Sequence, residues 1–221
     1  GAVVAPLHLS TTYSLADFAT KRDYDYGRSG NPNRDTLAQL LAKLEGGERG
    51  IITATGMAAV HLVTQLLTPQ DTIIIPHDCY GGSYRLFTSL AKRGLFKLEV
   101  LDLTQASCYQ AIIAARPKIV WIETPSNPIF RLTDIRAVCD AAKQAGALVG
   151  ADNTFLSPAL QNPLALGCDI VVHSTTKYIN GHSDVVGGAL ITKSAELGEE
   201  LAWWANNIGI TGAPFDSFLT L

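Results

Sequence analysis

The chain has 221 residues, a formal net charge of −3, 47% hydrophobic residues and only 17% charged residues. This composition can bury one α/β core and excludes long disordered stretches. No cluster of basic residues stands out, so nucleic acid is not an expected partner. No apolar run approaches the roughly 20 residues that cross a bilayer, so no membrane association is expected.

The first 33 residues show no alternation of apolar strands and helical patterns. We interpret residues 1–33 as an extended N-terminal arm that contributes to a neighbouring subunit, and residues 34–221 as one larger domain. The chain does not begin with Met, and it stops in the apolar sequence at 218–221. We therefore expect a piece of a longer protein.

The larger domain begins with a helical pattern. Asn33 is a candidate N-cap, four leucines follow at helical spacing, and Gly46 ends the pattern. Apolar runs then predict strands at 51–52, 72–75, 96–101, 119–122, 148–151, 170–172 and 186–191. Helical patterns predict helices at 57–67, 84–92, 135–144 and 195–207. Continuous apolar strands separated by helices indicate an α/β fold, with a mostly parallel sheet sandwiched by helices.

In such sheets, ligands bind beyond the carboxyl ends of the strands, and polar motifs follow several of the predicted strands. One is Thr55-Gly-Met57, where Gly56 allows close approach and the next helix presents amides that suit a phosphate. An ordinary strand–helix turn is the commoner interpretation of this motif on its own. The motif lacks the glycine patterns of dinucleotide and nucleoside triphosphate sites, which disfavours a nucleotide-binding oxidoreductase.

Two further motifs follow strands. An unpaired buried carboxylate is costly, so we expect Asp152 to have a partner. It is either a turn residue or an acid that keeps a heterocyclic nitrogen protonated. The stretch from His173 to Lys177 offers three hydroxyls and an amine. Lys177 is either a surface lysine or, in a desolvated pocket, a nucleophile. Together the motifs supply a phosphate cradle, a carboxylate and an amine, which are the groups that pyridoxal 5′-phosphate (PLP) requires.

The four cysteines form no C-x-x-C pair and lie in apolar segments. This pattern favours buried, reduced thiols in a cytoplasmic protein over disulfides or a zinc site. No metal is expected.

At this point the chain resembles a known family, the fold-type I PLP-dependent enzymes of cysteine and methionine metabolism. The resemblance covers nearly the whole chain. It rests on stretches in the family's order, namely Tyr26-Gly-Arg-Ser-Gly-Asn-Pro32, Thr55-Gly-Met57, His77-Asp-Cys-Tyr80-Gly-Gly82, Glu123-Thr-Pro-Ser-Asn-Pro128, Asp152-Asn-Thr154 and 174–184. Stretches 79–87, 155–164 and 203–209 resemble the family members that form cystathionine from an O-acylhomoserine and cysteine.

The resemblance implies a role for individual residues. Lys177 would form the Schiff base with PLP and then move protons. Asp152 would pair with the ring nitrogen, Tyr80 would stack on the ring face, and Thr154 would lie beside the ring. Asn127 would lie near the substrate carboxylate.

The phosphate would be held by backbone amides and hydroxyls of Gly56, Met57, Ser174 and Thr176. Tyr26 and Arg28 would enter the site of a neighbouring subunit, with Arg28 on the phosphate. Tyr26 would assist proton handling or stack near the substrate, so the candidate catalytic residues are Lys177, Tyr80 and Tyr26. The resemblance also implies a homo-oligomer, expected to be a tetramer of two catalytic dimers. Because a smaller domain follows in the family, it further implies that the larger domain is incomplete at its C-terminal end and that the smaller C-terminal domain is absent.

The implied reaction replaces the γ-substituent of an O-acylhomoserine, with O-succinylhomoserine as the expected substrate, by cysteine in methionine biosynthesis. Three alternatives remain open. The same residues could support β- or γ-elimination from cystathionine, or sulfhydrylation of an acylhomoserine. The chain could also be a non-catalytic fragment that retains the fold.

Overall fold

The computed structural model describes residues 3–221 and contains one sheet of seven strands. Their order in the sheet is β1-β7-β6-β5-β4-β2-β3. The strands are β1 (Arg49–Thr53), β2 (Thr72–Pro76), β3 (Lys97–Leu101), β4 (Ile119–Glu123), β5 (Leu148–Asp152), β6 (Ile170–His173) and β7 (Gly188–Thr192).

Helices connect the strands and cover both faces of the sheet. They are α1 (Pro32–Glu45), α2 (Gly56–Val63), α3 (Gly81–Lys92), α4 (Ser107–Ala115), α5 (Ile135–Ala145), α6 (Ser157–Leu160), α7 (Pro163–Leu166), α8 (Ala195–Ile208) and α9 (Pro214–Thr220). A 3-10 helix, Thr64–Leu66, follows α2. No helix among residues 3–221 is long and apolar enough to cross a membrane.

The sheet is mostly parallel, as the sequence predicts. Strands β3, β2, β4, β5 and β6 pair in parallel, whereas β7 runs antiparallel to both of its neighbours, β6 and β1. The carboxyl ends of the parallel strands therefore meet at one edge of the sheet. That edge carries the polar motifs at residues 77–80, 123–128, 152–154 and 173–177.

Alternation along the strands divides the core between the two faces. Ile74 and Val120 point to one face, where they join a cluster with α1, α4, α5 and α7. Ile73, Ile75 and Trp121 point to the other face and pack with α2, α3 and α8. Burial on both faces explains why these strands are continuous apolar runs, since neither face meets water.

The structure corrects several predicted boundaries. The N-cap of α1 is Asn31 and not Asn33: the Asn31 side chain accepts hydrogen bonds from the Asn33 and Arg34 amides, and Pro32 occupies the first helical position, where an amide is not needed. The predicted helix at 57–67 ends as an α-helix at Val63, and the predicted strand at 186–191 lies at Gly188–Thr192. Helices α4, α6, α7 and α9 were not predicted.

The arm lies apart from the sheet. Its described part, residues 3–31, contains isolated bridges, Thr12 with Tyr26 and Asp17 with Thr20, rather than a strand of the sheet. Hydrogen bonds from its backbone to the start of α1 fix where it leaves the domain. In one of them, the His8 amide donates to Asn33 Oδ1 at 2.8 Å.

Candidate active site

A cavity of about 330 Å³ opens at the carboxyl edge of the parallel strands. Its volume lies in the range of small-molecule sites. Nine of the eleven site residues predicted from the sequence line it: Gly56, Met57, Tyr80, Asn127, Asp152, Thr154, Ser174, Thr176 and Lys177. These residues come from five separate segments of the chain, so the fold itself brings them together.

One wall of the cavity is the N-terminus of α2. Thr55 caps this helix, because its side chain accepts a hydrogen bond from the Ala58 amide at 2.9 Å. The amides of Gly56 and Met57 precede the first intrahelical bond and have no acceptor among residues 3–221. A Cβ at position 56 would lie 2.6 Å from the Ser174 Cβ, so only glycine fits this close approach. The wall can therefore bind an anion such as a phosphate.

The hydroxyls near this wall differ in what they contact. Thr176 Oγ1 donates to the Gly187 carbonyl at 3.2 Å and accepts from the Gly187 amide at 3.0 Å. Ser174 donates its backbone amide to Thr154 Oγ1 at 2.8 Å. The Thr176 hydroxyl is thus engaged by the chain itself, and the Thr154 hydroxyl holds the ends of β5 and β6 together.

Asp152 is the last residue of β5, and its side chain lines the cavity. Its Oδ1 accepts a hydrogen bond from the Thr154 amide at 3.0 Å. Burial raises the pKa of this carboxyl, while the hydrogen bonds from Thr154 and the charge of His173 oppose the rise. A cation placed against Asp152 in the cavity would restore its ionised form, and a protonated heterocyclic nitrogen is such a cation.

Glu123 is a cavity residue to which sequence reasoning assigned no role. It ends β4, its Oε2 accepts the Tyr80 amide at 2.6 Å, and its Oε1 accepts the Asn127 amide at 3.0 Å. One buried carboxyl group therefore fixes the backbone of both Tyr80 and Asn127. The signal was present in the sequence, because Glu123 ends an apolar strand just as Asp152 does.

Lys177 lines the cavity but is exposed in this chain. It lies in the turn after β6, where the Gly181 amide donates to its carbonyl at 2.9 Å. In this chain alone Lys177 is therefore not desolvated, since the turn projects it to the open side of the cavity. A larger opening beside it, about 600 Å³, is also lined by Lys177, together with Tyr178 and Val186.

Tyr26 and Arg28 do not line the cavity. The guanidinium of Arg28 lies 5.4 Å from the centroid of the Tyr26 ring, and Arg28 donates to Asn206 Oδ1 at 2.9 Å. Tyr26 has 47% of its surface exposed. Both side chains lie on the exposed arm, where they are accessible to another chain.

Four buried cysteines, Cys79, Cys108, Cys139 and Cys168, are free thiols. Their burial agrees with the prediction from the sequence. Within residues 3–221, no group of three or more His, Cys, Asp and Glu side chains is placed to hold a metal ion.

The model of one family, described as Cys/Met metabolism PLP-dependent enzyme, matches residues 1–221. The chain belongs to this family. Its sequence is 55% identical to cystathionine gamma-synthase of Escherichia coli over all of this chain and 58% of that protein. It is 41% identical to cystathionine beta-lyase of Coxiella burnetii over all of this chain and 58% of that protein.

A solved structure of a relative has the same fold as this chain. The crystal structure of cystathionine gamma synthase from Xanthomonas oryzae pv. oryzae in complex with cystathionine matches with a TM-score of 0.98 and 59% identity. That match covers 99% of this chain and 57% of the other. The chain thus spans somewhat more than half the length of the relatives it matches.

The cofactor of this family is pyridoxal phosphate, and the cavity suits it. The hydroxyl of Ser83 is buried on the cavity wall without a hydrogen-bond partner among residues 3–221, so it can serve a ligand. The α2 N-terminus accepts an anion, Asp152 requires a cation, and Lys177 offers an amine. These three groups would bind the phosphate, the ring nitrogen and the aldehyde of PLP, respectively.

Proposed function

We propose that the protein containing this chain is a PLP-dependent enzyme that forms cystathionine from an O-acylhomoserine, with O-succinylhomoserine as substrate, and cysteine. The observation that carries the proposal is the single cavity that brings Lys177, Asp152 and the N-terminus of α2 together. The 55% identity to the E. coli synthase over the whole chain supports this particular reaction.

In the reaction, the C–O bond at the substrate Cγ breaks, the acyl group leaves as a carboxylate, and the cysteine sulfur forms a C–S bond at Cγ. Bound PLP would supply an aldehyde for amine exchange and a ring that takes up negative charge from the substrate Cα. The Lys177 amine, once displaced by the substrate amine, would accept the Cα proton, a step to which a positioned base contributes roughly 10²–10⁴-fold.

The other cavity residues would bind and orient. Asp152 would hold a proton on the ring nitrogen. Tyr80, whose backbone amide is bonded to Glu123, would stack on the ring. Asn127, fixed by the same carboxyl group, would meet the substrate carboxylate. Thr154 would lie beside the ring, and Tyr80 would also assist catalysis there.

The phosphate would be bound by amides at the start of α2 and by hydroxyls of the loop after β6, contributed by Gly56, Met57, Ser174 and Thr176. Of these, the two amides are free to donate. A Thr176 hydroxyl that also binds phosphate would have to exchange its bond to Gly187.

We further propose a homo-oligomer in which residues 1–33 act as an arm, separate from the domain at 34–221. Tyr26 and Arg28 of one subunit would enter the cavity of the next. Support comes from the arm's exposure: its large apolar side chains include Phe18, 95% exposed. The neighbour would also cover Lys177, which is exposed in this chain. The four buried free thiols are consistent with a cytoplasmic location.

The experiment is product analysis on the complete protein. With O-succinylhomoserine and cysteine, we expect cystathionine and succinate in equal amounts. A lyase would instead release pyruvate or 2-oxobutyrate from cystathionine. This alternative is tested because the chain is 41% identical to the C. burnetii lyase. Lys177→Ala serves as the inactive control and Lys193→Ala as the matched lysine control, since Lys193 is exposed and does not line the cavity. Keto acid without cystathionine would reject the proposed reaction.

A further inference from the structure

Behind the cavity, Glu45 and His173 form a fully buried pair. Nε2 of His173 lies 2.6 Å from Oε1 of Glu45, and both side chains have no exposed surface. Burying two ionisable groups is costly, and well-packed apolar residues often stabilise a core as well or better. Stability alone is therefore a weak reason for this pair, and its position in the fold suggests another.

His173 is adjacent in sequence to a cavity residue, and Glu45 is bonded to a residue that lies between two of them. His173 ends β6 and immediately precedes Ser174. Asn153, which lies between Asp152 and Thr154, donates from Nδ2 to Glu45 Oε1 at 2.8 Å. The pair therefore holds the two short segments that carry the cavity's acid and part of its phosphate wall.

The contacts continue to a third strand. Asn153 Nδ2 also donates to the Gln161 carbonyl at 2.8 Å. Gln161 Nε2 returns a bond to Asn153 Oδ1 at 3.0 Å and donates to the Thr124 carbonyl at 3.0 Å. Thr124 follows Glu123, so one buried network joins the carboxyl ends of β4, β5 and β6.

The charges in this region are unbalanced without a cation. Glu45, Glu123 and Asp152 are acidic groups from α1, β4 and β5. His173 is a basic group among them, and its charge opposes the burial that raises the pKa of Asp152.

We propose that the buried pair of Glu45 and His173, continued through Asn153 and Gln161, positions the strand ends that carry Asp152 and Ser174 for the cofactor. The pair does not line the cavity, so its members are positioning residues. This inference rests on the proposed function of the cavity. Two atoms of the pair, Glu45 Oε2 and His173 Nδ1, have no partner among residues 3–221. The pair therefore depends on its single mutual contact and on Asn153.

The first test uses a variant outside the buried pair. Gln161→Ala removes the two hydrogen bonds that Gln161 donates to Asn153 and Thr124, at a partly exposed position, and leaves Glu45 and His173 unchanged. We expect it to weaken PLP binding in the complete protein. Unchanged PLP affinity in this variant overturns the inference, whether or not variants of the buried pair fold.

The second test measures the effect on the cofactor. PLP is titrated into the cofactor-free complete protein and followed by tryptophan fluorescence. We expect Glu45→Gln to raise the dissociation constant about tenfold, a coupling typical of contacting residues. We also expect the visible absorbance of the bound cofactor to titrate at higher pH, because a displaced Asp152 holds the ring nitrogen's positive charge less well.

The control is Val149→Ala, which removes apolar volume from the same strand, β5, at a buried position without changing a charge. It should lower the melting temperature and leave the dissociation constant and the titration midpoint unchanged. If Glu45→Gln behaves like Val149→Ala, the pair is merely structural and the inference is wrong. Failure of the proposed function is a separate result, since it would appear as wild-type protein in which borohydride links no cofactor to Lys177.

Discussion

Glu123 and Asp152 occupy paired positions on the adjacent parallel strands β4 and β5. Two carboxyl groups thus lie side by side at the edge of the sheet where the cavity opens. Burial raises the pKa of Glu123 to about 7, and the charge of Asp152 adds to the rise. Because the two buried carboxyl groups lie at one level of the sheet, ionising both is unfavourable until a cation binds.

The pH dependence of stability should reveal Glu123. A carboxyl group with a raised folded-state pKa contributes stability below its ordinary pKa of 4.5 that is lost as pH rises through about 7. The shift corresponds to roughly 3 kcal/mol. In the cofactor-free protein, Glu123→Gln should therefore reduce the decline in the free energy of unfolding across this window. Urea unfolding at a series of pH values measures it, with the exposed Glu48→Gln as control. Parallel curves for wild type and Glu123→Gln would refute the assignment.

Asp152→Asn should have opposite effects on the free and the cofactor-bound protein. Burial makes the ionised carboxyl costly, so the neutral amide should raise the melting temperature of the cofactor-free protein at neutral pH, where the raised pKa would otherwise lower stability. The Asn side chain can still accept the Thr154 amide. Loss of the charged bond to the ring nitrogen should weaken PLP binding about 10- to 100-fold. Calorimetry and PLP titration test both effects, and unchanged affinity would exclude Asp152 as the ring's partner.

Gly56→Ala should damage the phosphate wall. The new Cβ would lie 2.6 Å from the Ser174 Cβ and 2.8 Å from its Cα, so one backbone must move. Overpacking of this kind costs about 1–3 kcal/mol, and we expect PLP affinity to fall by about 10- to 100-fold. The control is Gly81→Ala at the first position of α3, where the nearest atom is the flexible Arg85 side chain at 3.3 Å. Equal losses in both variants would contradict the close-approach explanation.

Mixing subunits tests whether Arg28 of the arm acts in the site of a neighbouring subunit. Alone, Arg28→Ala and Lys177→Ala proteins should each have little activity. After denaturation and refolding together in equal amounts, hybrid dimers should contain one intact site, with Lys177 from one chain and Arg28 from the other. Random pairing would restore about a quarter of wild-type activity. If Arg28 acts within its own chain, as its contact with Asn206 would allow, the mixture should stay inactive.

Much of this structure was predictable because strand burial and polar strand ends are properties of local sequence. The buried strands, the mostly parallel sheet and the convergence of Asp152 with Lys177 follow from that pattern. Helix α4 was not predicted, and it begins without a side-chain cap. The exposure of Lys177 could not be predicted either, because it depends on what covers the cavity rather than on the residues around it. The buried pair of Glu45 and His173 joins positions 128 residues apart, a contact that no local pattern indicates.

The most direct test of the central claim is borohydride reduction of the complete protein with PLP, followed by intact and peptide mass spectrometry. We predict one reduced cofactor per chain, attached to Lys177, and no attachment in Lys177→Ala, while Lys193→Ala remains labelled like the wild type. Attachment at another lysine, or none at all in the wild-type protein, would contradict the account.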